Sequence, residues 1–213
     1  MSDEKRLYRK TRRAELEEQT RRRITDSAVE LHGTVGPART SISALAEHAG
    51  VRRATVYRHF PDEDALFAAC SSHWLAENPF PDLAGWGATK DVDERLSNAL
   101  LELYGHYRRN ERMITNILRD EATVPILTRT LGSYRQYLTA AQEALMAGRA
   151  VSGLARRQVH AAIGHALAFY TWRSLAIEQG LDNKQASSLM CLLIRAADCD
   201  SGSVPGRGVG AGY

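Results

Sequence analysis

The stretch ISALAEHAGVRRATVYRHF, residues 42–60, decides the fold of the N-terminal part of the chain. Apolar residues recur at helical spacing before Gly50 and again after it, which predicts two short helices joined by a turn. Gly50 supplies the left-handed backbone that such a turn needs, and Ser41 or Ser43 can cap the first helix. The stretch therefore predicts a helix-turn-helix motif over about residues 42–61.

The second helix of this motif is rich in side chains that suit a DNA groove and its flanking phosphates. On charge alone, its arginines could equally form a solvated helix face. The helix-turn-helix pattern around them favours DNA contact instead. The candidate DNA-contacting residues of this helix are Arg52, Arg53, Thr55, Tyr57, Arg58 and His59.

Positive charge is concentrated at the front of the chain. The whole sequence carries a formal charge of +3, yet residues 1–60 hold 13 Lys and Arg side chains against 8 Asp and Glu. A basic front on a near-neutral body favours a polyanionic partner. The basic run at the N-terminus is either an arm for the minor groove or, the preferred interpretation, a disordered tail that adds nonspecific attraction; it comprises Lys5, Arg6, Arg9, Lys10, Arg12, Arg13 and then Arg21 to Arg23.

The segment from about Arg21 to Cys70 resembles the DNA-binding domain of the tetracycline-repressor (TetR) family of bacterial transcriptional regulators. The resemblance rests on the combined spacing of Ile42, Leu45-Ala46, Ala49-Gly50-Val51, Thr55 to Phe60 and Ala65-Leu66-Phe67. It implies a homodimeric regulator that reads a palindromic operator in double-stranded DNA. It also implies a small-molecule inducer that binds the C-terminal domain and releases the protein from DNA.

The resemblance assigns roles to single residues of the motif. Arg53 lies where the family often contacts bases, and an arginine there can bridge guanine O6 and N7. Ser43 faces the groove in related proteins. Thr55, Tyr57 and His59 match positions that typically hold backbone phosphates, which position the protein without reading sequence.

Two positions depart from the family's pattern. Arg52 stands where a serine commonly caps the second helix, which gives up a cap worth about 0.5–2 kcal/mol and puts a cation at the positive helix end. Because stability does not explain Arg52, a phosphate or base contact is the favoured interpretation. Glu63 stands where the family commonly has a phosphate-binding lysine, so that DNA contact is not carried over.

The rest of the chain also shows helical spacing, so the predicted fold class is all-α. A three-helix DNA-binding domain with a helix-turn-helix would precede a larger helical domain for ligand binding and dimerisation. The later helices are predicted near residues 91–109, 111–120, 124–147, 153–179 and 183–198. The predicted organisation is a basic arm (1–20), a DNA-binding domain (21–77), a linker rich in Pro and Gly (78–90), a helical domain (91–199) and a disordered tail (200–213).

The helical domain offers candidates for ligand binding and for dimerisation. Its aromatic side chains are more often core than pocket, but those proposed to contact a ligand are Trp86, Tyr104, Tyr107 and Trp172. Small and apolar residues over 153–198 allow close helix packing. The resemblance implies that these last two long segments pair with their mates in a four-helix bundle and form the homodimer.

Sequence composition argues against a membrane or exported protein. No stretch of about 18 apolar residues exists, and the N-terminus lacks the apolar segment of a signal peptide, so we expect a soluble, cytoplasmic protein. Three scattered cysteines, Cys70, Cys191 and Cys199, fit reduced thiols better than disulfide bridges.

The sequence contains no recognisable catalytic motif. A Gly-rich phosphate loop, a nucleophile elbow and paired cysteines are all missing, and the histidines are isolated, so we expect no enzyme activity, cofactor or metal site. The leading hypothesis is a ligand-responsive transcriptional regulator, specifically a repressor. The alternative is a helical enzyme or small-molecule carrier whose basic N-terminus is incidental.

Overall fold

The computed structural model describes residues 2–199, with side chains from Leu7 to Asp198. This part of the chain is helical and contains no β-strand, which confirms the all-α prediction. No helix within it is both long and apolar enough to cross a bilayer. The predicted tail, residues 200–213, lies outside the described residues.

The described residues form α-helices, a 3₁₀ turn and a π-helical turn. The helices are α1 (Ser2–Thr34), α2 (Ile42–His48), α3 (Arg53–His59), α4 (Glu63–Glu77), α5 (Leu83–Gly87), α6 (Val92–Arg109), α7 (Glu111–Asp120), α8 (Pro125–Thr130), α9 (Gly132–Met146), α10 (Gly153–Leu167), α11 (Phe169–Arg173) and α12 (Asn183–Cys199). The 3₁₀ turn is Pro37–Arg39 and the π-helical turn is Ser174–Glu178.

The chain divides into two compact units that differ from the predicted domains. The N-terminal unit holds the chain up to Phe80 together with Arg109–Tyr134, and the C-terminal unit holds Pro81–Arg108 and the chain from Arg135 onward. Leu127 of α8 explains the difference, because it is fully buried in the same apolar cluster as the helix-turn-helix core. Helices α7 and α8, expected in the second domain, therefore belong to the first.

The N-terminal residues are helical, where the preferred prediction was a disordered tail. They form the start of α1, a single helix of 33 residues. Every side chain from Leu7 to Gln19 is exposed, so this stretch depends on local contacts such as the pair between Arg13 Nε and Glu17 Oε1 at 3.1 Å. Burial of α1 becomes complete only at Ile24.

The predicted linker contains a helix of its own. The Asp82 carboxylate caps α5 by accepting hydrogen bonds from the backbone N–H groups of Ala84 and Gly85, at 3.0 and 3.3 Å. Trp86 then buries its ring within the C-terminal unit. Residues 78–90 therefore do not act throughout as a free linker.

The long helix predicted over 153–179 is interrupted in the structure. Ala168 adopts an extended conformation between α10 and α11. The end of α10 is secured by two buried tyrosines: Tyr104 donates its hydroxyl to the carbonyl of Ala166 at 2.9 Å, and Tyr107 donates to that of Leu167 at 2.7 Å. These long-range bonds satisfy carbonyls that a continuous helix would have used itself.

Candidate nucleic-acid interface

The turn of the helix-turn-helix has the geometry that the sequence predicts. Ser41 caps α2 by accepting a hydrogen bond from the backbone N–H of Ala44 at 3.1 Å. Gly50 has a φ of +62°, in the left-handed region that disfavours side chains. The backbone N–H of Val51 returns to the carbonyl of Ala46 at 2.9 Å and closes the turn.

Burial separates the two faces of α3. Val56 and the following Phe60 are 1 % and 2 % exposed, in the core shared with α1, α2 and α4. Tyr57 is 48 % exposed and faces outward, so it is available to a partner. Ser43 on α2 is exposed as well, and Thr55 is half-buried.

Three exposed arginines belong to α3 and to the residue that precedes it. Arg52, Arg53 and Arg58 are exposed, and none of them forms an ion pair with any residue that the structure describes. Arg52 occupies the N-cap position of α3 and makes no capping hydrogen bond, as the sequence predicts. This part of the motif therefore presents uncompensated positive charge, which suits a phosphate backbone.

His59 is placed differently from the arginines. Burial, followed by the positive charges of Arg58 and Arg21, lowers the pKa of its imidazole below the ordinary value of 6.5. Its Nε2 is buried and has no hydrogen-bond partner among the described residues. In this conformation His59 does not present a charged group to a phosphate, although the sequence placed it among the phosphate contacts.

Arg21 has a positioning role that sequence reasoning missed. Its Nη1 donates to the carbonyl of His59 at 2.8 Å, and its guanidinium lies 4.3 Å from the centre of the Phe60 ring. Arg21 thereby ties α1 to the end of α3. Its place in a basic run suggested a solvated or DNA-contacting cation, and no local pattern reveals a partner 38 residues away.

Glu63 begins α4 beside α3. The preceding Asp62 caps the helix by accepting a hydrogen bond from the backbone N–H of Ala65 at 2.7 Å. Glu63 is exposed and lines the same depression as Tyr57. An acid therefore lies next to the exposed face of α3.

The four aromatic residues predicted to contact a ligand form part of the core of the C-terminal unit. Tyr104, Tyr107 and Trp172 are fully buried, with both tyrosine hydroxyls bonded to backbone carbonyls and the Trp172 indole N–H donated to Asn183 at 3.1 Å. The indole N–H of Trp86 donates to Glu102 at 2.7 Å. These contacts give all four a structural role, and ligand binding by them stays a prediction.

The described residues show no cluster of metal ligands. No three His, Cys, Asp or Glu side chains among them lie close enough together to hold a metal ion. Cys70 and Cys191 are free, buried thiols, and the side chain of Cys199 lies outside the described part.

Comparison with known families identifies the domain that carries this interface. The family model for bacterial regulatory proteins of the tetR family matches residues 24–70. The chain carries the DNA-binding domain of the TetR family. The match covers the buried part of α1, the helix-turn-helix and the first half of α4, so the TetR-type domain coincides with the N-terminal core. Comparison with curated protein sequences gave no match.

Solved structures are similar in fold to this chain over most of its length. A structure described as a fatty acid metabolism regulator of Clostridium perfringens aligns with a TM-score of 0.60 at 13% identity, covering 82% of this chain and 97% of that one. A structure assigned to the TetR family from Mesorhizobium loti gives 0.58 at 16% identity, with coverages of 85% and 96%. NalD, the secondary repressor of the MexAB-OprM multidrug efflux pump in Pseudomonas aeruginosa, gives 0.56 at 22%, with coverages of 86% and 97%. At these identities the likeness shows a shared fold alone.

Proposed function

We propose that this protein is a homodimeric, non-catalytic transcriptional repressor that binds a palindromic operator and is released from it by a small molecule. The observation that carries the proposal is the set of arginines at α3 of a TetR-type helix-turn-helix: Arg52, Arg53 and Arg58 are exposed and form no ion pair with any described residue. A helix of this kind docks in the major groove of DNA. Such a regulator acts where the DNA lies, in the cytoplasm.

The contacts divide into base reading and phosphate binding. Arg53, in the first turn of α3, is the proposed base-reading residue, because the N-terminal residues of a reading helix reach the base edges. Arg52, Tyr57 and Arg58 are exposed and would hold the flanking phosphates, with Ser43 adding a hydroxyl from α2. Thr55 and His59 are half-buried, so they would contribute less to DNA contacts than the exposed residues.

An apolar surface on the C-terminal unit supports the homodimer. Leu189, Leu192 and Leu193 of α12 are 37, 60 and 54 % exposed, and Leu154 of α10 is 62 % exposed. Solvent-exposed leucines at helical spacing on adjacent helices favour a partner helix pair, as in a four-helix bundle. A second copy of the chain would also supply the second reading head that a palindrome requires.

The repressor role and the response to a small molecule are supported by likeness alone. Among the structures of the same fold, NalD is described as a repressor. A reporter gene placed behind the operator identified below tests this assignment for the present chain. Expression should be lower in cells that contain the protein than in cells that lack it.

The decisive test of DNA binding is selection of bound duplexes from a random pool by the full chain. We expect enrichment of a palindrome whose half-sites lie one helical turn apart or a multiple of it, with affinity that falls steeply as salt rises. The double variant Arg53→Ala/Arg58→Ala should lose the enrichment. The matched control Arg156→Ala/Arg157→Ala removes two exposed arginines from α10 and should retain it. No enrichment, or equal losses in both variants, would refute the proposal.

A further inference from the structure

The N-terminal unit contains a cavity that sequence reasoning did not anticipate. Its volume is about 100 Å³, and α1, α4, α7 and the α8–α9 junction supply its walls. Phe67 and Cys70 of α4 line it and also belong to the apolar core that holds the helix-turn-helix. An occupant of the cavity would therefore touch the same helix that supports α3.

The lining excludes a charged occupant. His32 is the only side chain in it that titrates near neutrality, and burial lowers the pKa of this imidazole to about 4, so it is uncharged at neutral pH. Burial raises the pKa of the Cys70 thiol to about 12, so it is uncharged too. A charged ligand would lose its hydration without gaining an opposite charge, at a cost of several kcal/mol.

The walls and the volume suit one ring. Phe67, Trp74, Phe80 and Tyr134 supply aromatic surface, and His32 stacks on Phe67 with ring centres 4.9 Å apart. Aromatic rings contact such surfaces favourably in offset or edge-to-face arrangements. A dry protein cavity of about 150 Å³ is known to admit benzene, so a cavity of similar scale accepts a single ring more readily than a fused system.

We propose that this cavity is the effector site of the regulator, and that its ligand is a small, uncharged, largely apolar molecule built around one ring. The proposal rests on the proposed function, because an effector is defined by its action on DNA binding. It moves the ligand site from the aromatic core of the C-terminal unit, where the sequence placed it, to the unit that carries the helix-turn-helix.

Helix α7 provides a route from the cavity to the motif. One side of it, with Met113, Ile114 and Ile117, lines the cavity. The other side holds the last turn of α1: Asn116 Nδ2 donates to the carbonyls of His32 and Gly33 at 3.0 and 3.1 Å.

Two further residues of α7 complete this attachment. Arg119 Nη2 donates to the carbonyl of Val35 at 3.1 Å, and the Asp120 carboxylate accepts from the backbone N–H of Ala38 at 3.0 Å. Gly36 lies between these contacts with a φ of +95°, and a side chain there would meet both Arg119 and Asp120. A ligand that shifts α7 would therefore shift the end of α1 and the connection that leads from it to α2.

Calorimetry on the full chain without DNA tests the site directly. Phenol and toluene serve as uncharged one-ring probes, and benzoate and benzylamine as charged counterparts of similar size. We expect the uncharged pair to bind at least tenfold more tightly than the charged pair. In Ser71→Leu, whose side chain would fill the cavity, we expect at least a tenfold loss of phenol affinity. The matched control is Ser72→Leu, an exposed neighbour that does not line the cavity and should bind as the wild type.

A second variant and a DNA readout keep the test decisive. If Ser71→Leu fails to fold, Ser133→Leu obstructs the cavity from an exposed position and should lower phenol affinity in the same way.

The DNA readout tests the effector role. Phenol should weaken binding of the wild-type protein to its selected operator at least fivefold, and should not weaken operator binding by the variant whose cavity is filled. Equal binding of charged and uncharged probes, or unchanged affinity in the filled variants, would overturn the cavity assignment. Phenol binding without any change in operator affinity would overturn the effector role. A protein that binds no DNA refutes the proposed function and with it the effector role, while calorimetry still decides whether the cavity takes a ring.

Discussion

Acidification should destabilise the protein through His32, a buried imidazole of the N-terminal unit. His32 is 4 % exposed, stacks on Phe67, and has its Nδ1 3.9 Å from the Cys70 sulfur. Burial opposes protonation more strongly than the nearby Asp120 carboxylate favours it, so the pKa falls from 6.5 to about 4. The folded protein therefore binds the His32 proton far less readily than the unfolded chain does.

The sign and size of the effect follow from this difference. Above pH 6.5 the imidazole is neutral in both the folded and the unfolded state, so the stability linked to its lowered pKa is fully present. Between pH 6.5 and about 4 the unfolded chain binds the proton while the folded state does not, so stability falls as pH falls. At about 1.36 kcal/mol per pKa unit, the shift amounts to about 3 kcal/mol, lost in full near pH 4.

Urea unfolding followed by circular dichroism at pH 7.5, 6.5, 5.5 and 4.5 measures this loss at one fixed protein concentration. His32→Gln keeps a polar side chain that does not titrate. Between pH 7.5 and 4.5 the free energy of unfolding of this variant should fall by about 2–3 kcal/mol less than that of the wild type. Carboxylates that titrate in the same range affect both proteins equally and cancel in the comparison. The control His48→Gln removes an exposed imidazole, whose Nε2 lies 3.5 Å from the Glu30 carboxylate, and measures what a surface histidine contributes to the same curves. Parallel curves for the wild type and His32→Gln would show that burial of His32 has no such consequence.

Three substitutions test the remaining surfaces. Arg53→Ala should lower operator affinity by about 1–3 kcal/mol and relax preference at one base pair per half-site, as measured by competition with operator variants; uniform loss across variants, or an equal loss in the control Arg157→Ala, would contradict base reading. Glu63→Lys should tighten binding to operator and scrambled duplexes alike and steepen the salt dependence by about one to two counterions per subunit, because a phosphate carries no sequence; unchanged affinity on both would mean that Glu63 points away from DNA. Leu192→Glu should convert the dimer to a monomer in light scattering at micromolar concentration, whereas Leu101→Glu, at an exposed leucine of α6, should not; a wild-type monomer that binds DNA fully would rule out the proposed dimer.

The helix-turn-helix could be predicted from the sequence because its determinants are local. The Ser41 cap, the left-handed Gly50, and the burial of Val56 and Phe60 beside an exposed Tyr57 all follow from spacing within about twenty residues. Each of them depends on the periodicity of one helix or the geometry of one turn.

Contacts between distant segments could not be predicted in this way. The interruption at Ala168 is secured by tyrosines about 60 residues earlier in the chain, and no proline lies near it in the sequence. Likewise, Leu127 joins the N-terminal core through packing that periodicity does not specify. Helical spacing predicts which face of a helix is apolar, but it does not predict which helix covers that face.

The capping of α2, α3 and α4 shows where local stability and function diverge. Ser41 caps α2 and Asp62 caps α4 through side-chain hydrogen bonds, whereas Arg52, at the same position of α3, makes none. A side-chain cap stabilises a helix by about 0.5–2 kcal/mol, and a cation at a helix N-terminus opposes the dipole. The helix without a side-chain cap is the one proposed to read DNA, and the residue at the cap position is exposed and forms no ion pair with any described residue. Local rules are most often broken where a site needs a different residue. Arg52 is therefore better explained by the phosphate it would bind than by the helix it begins.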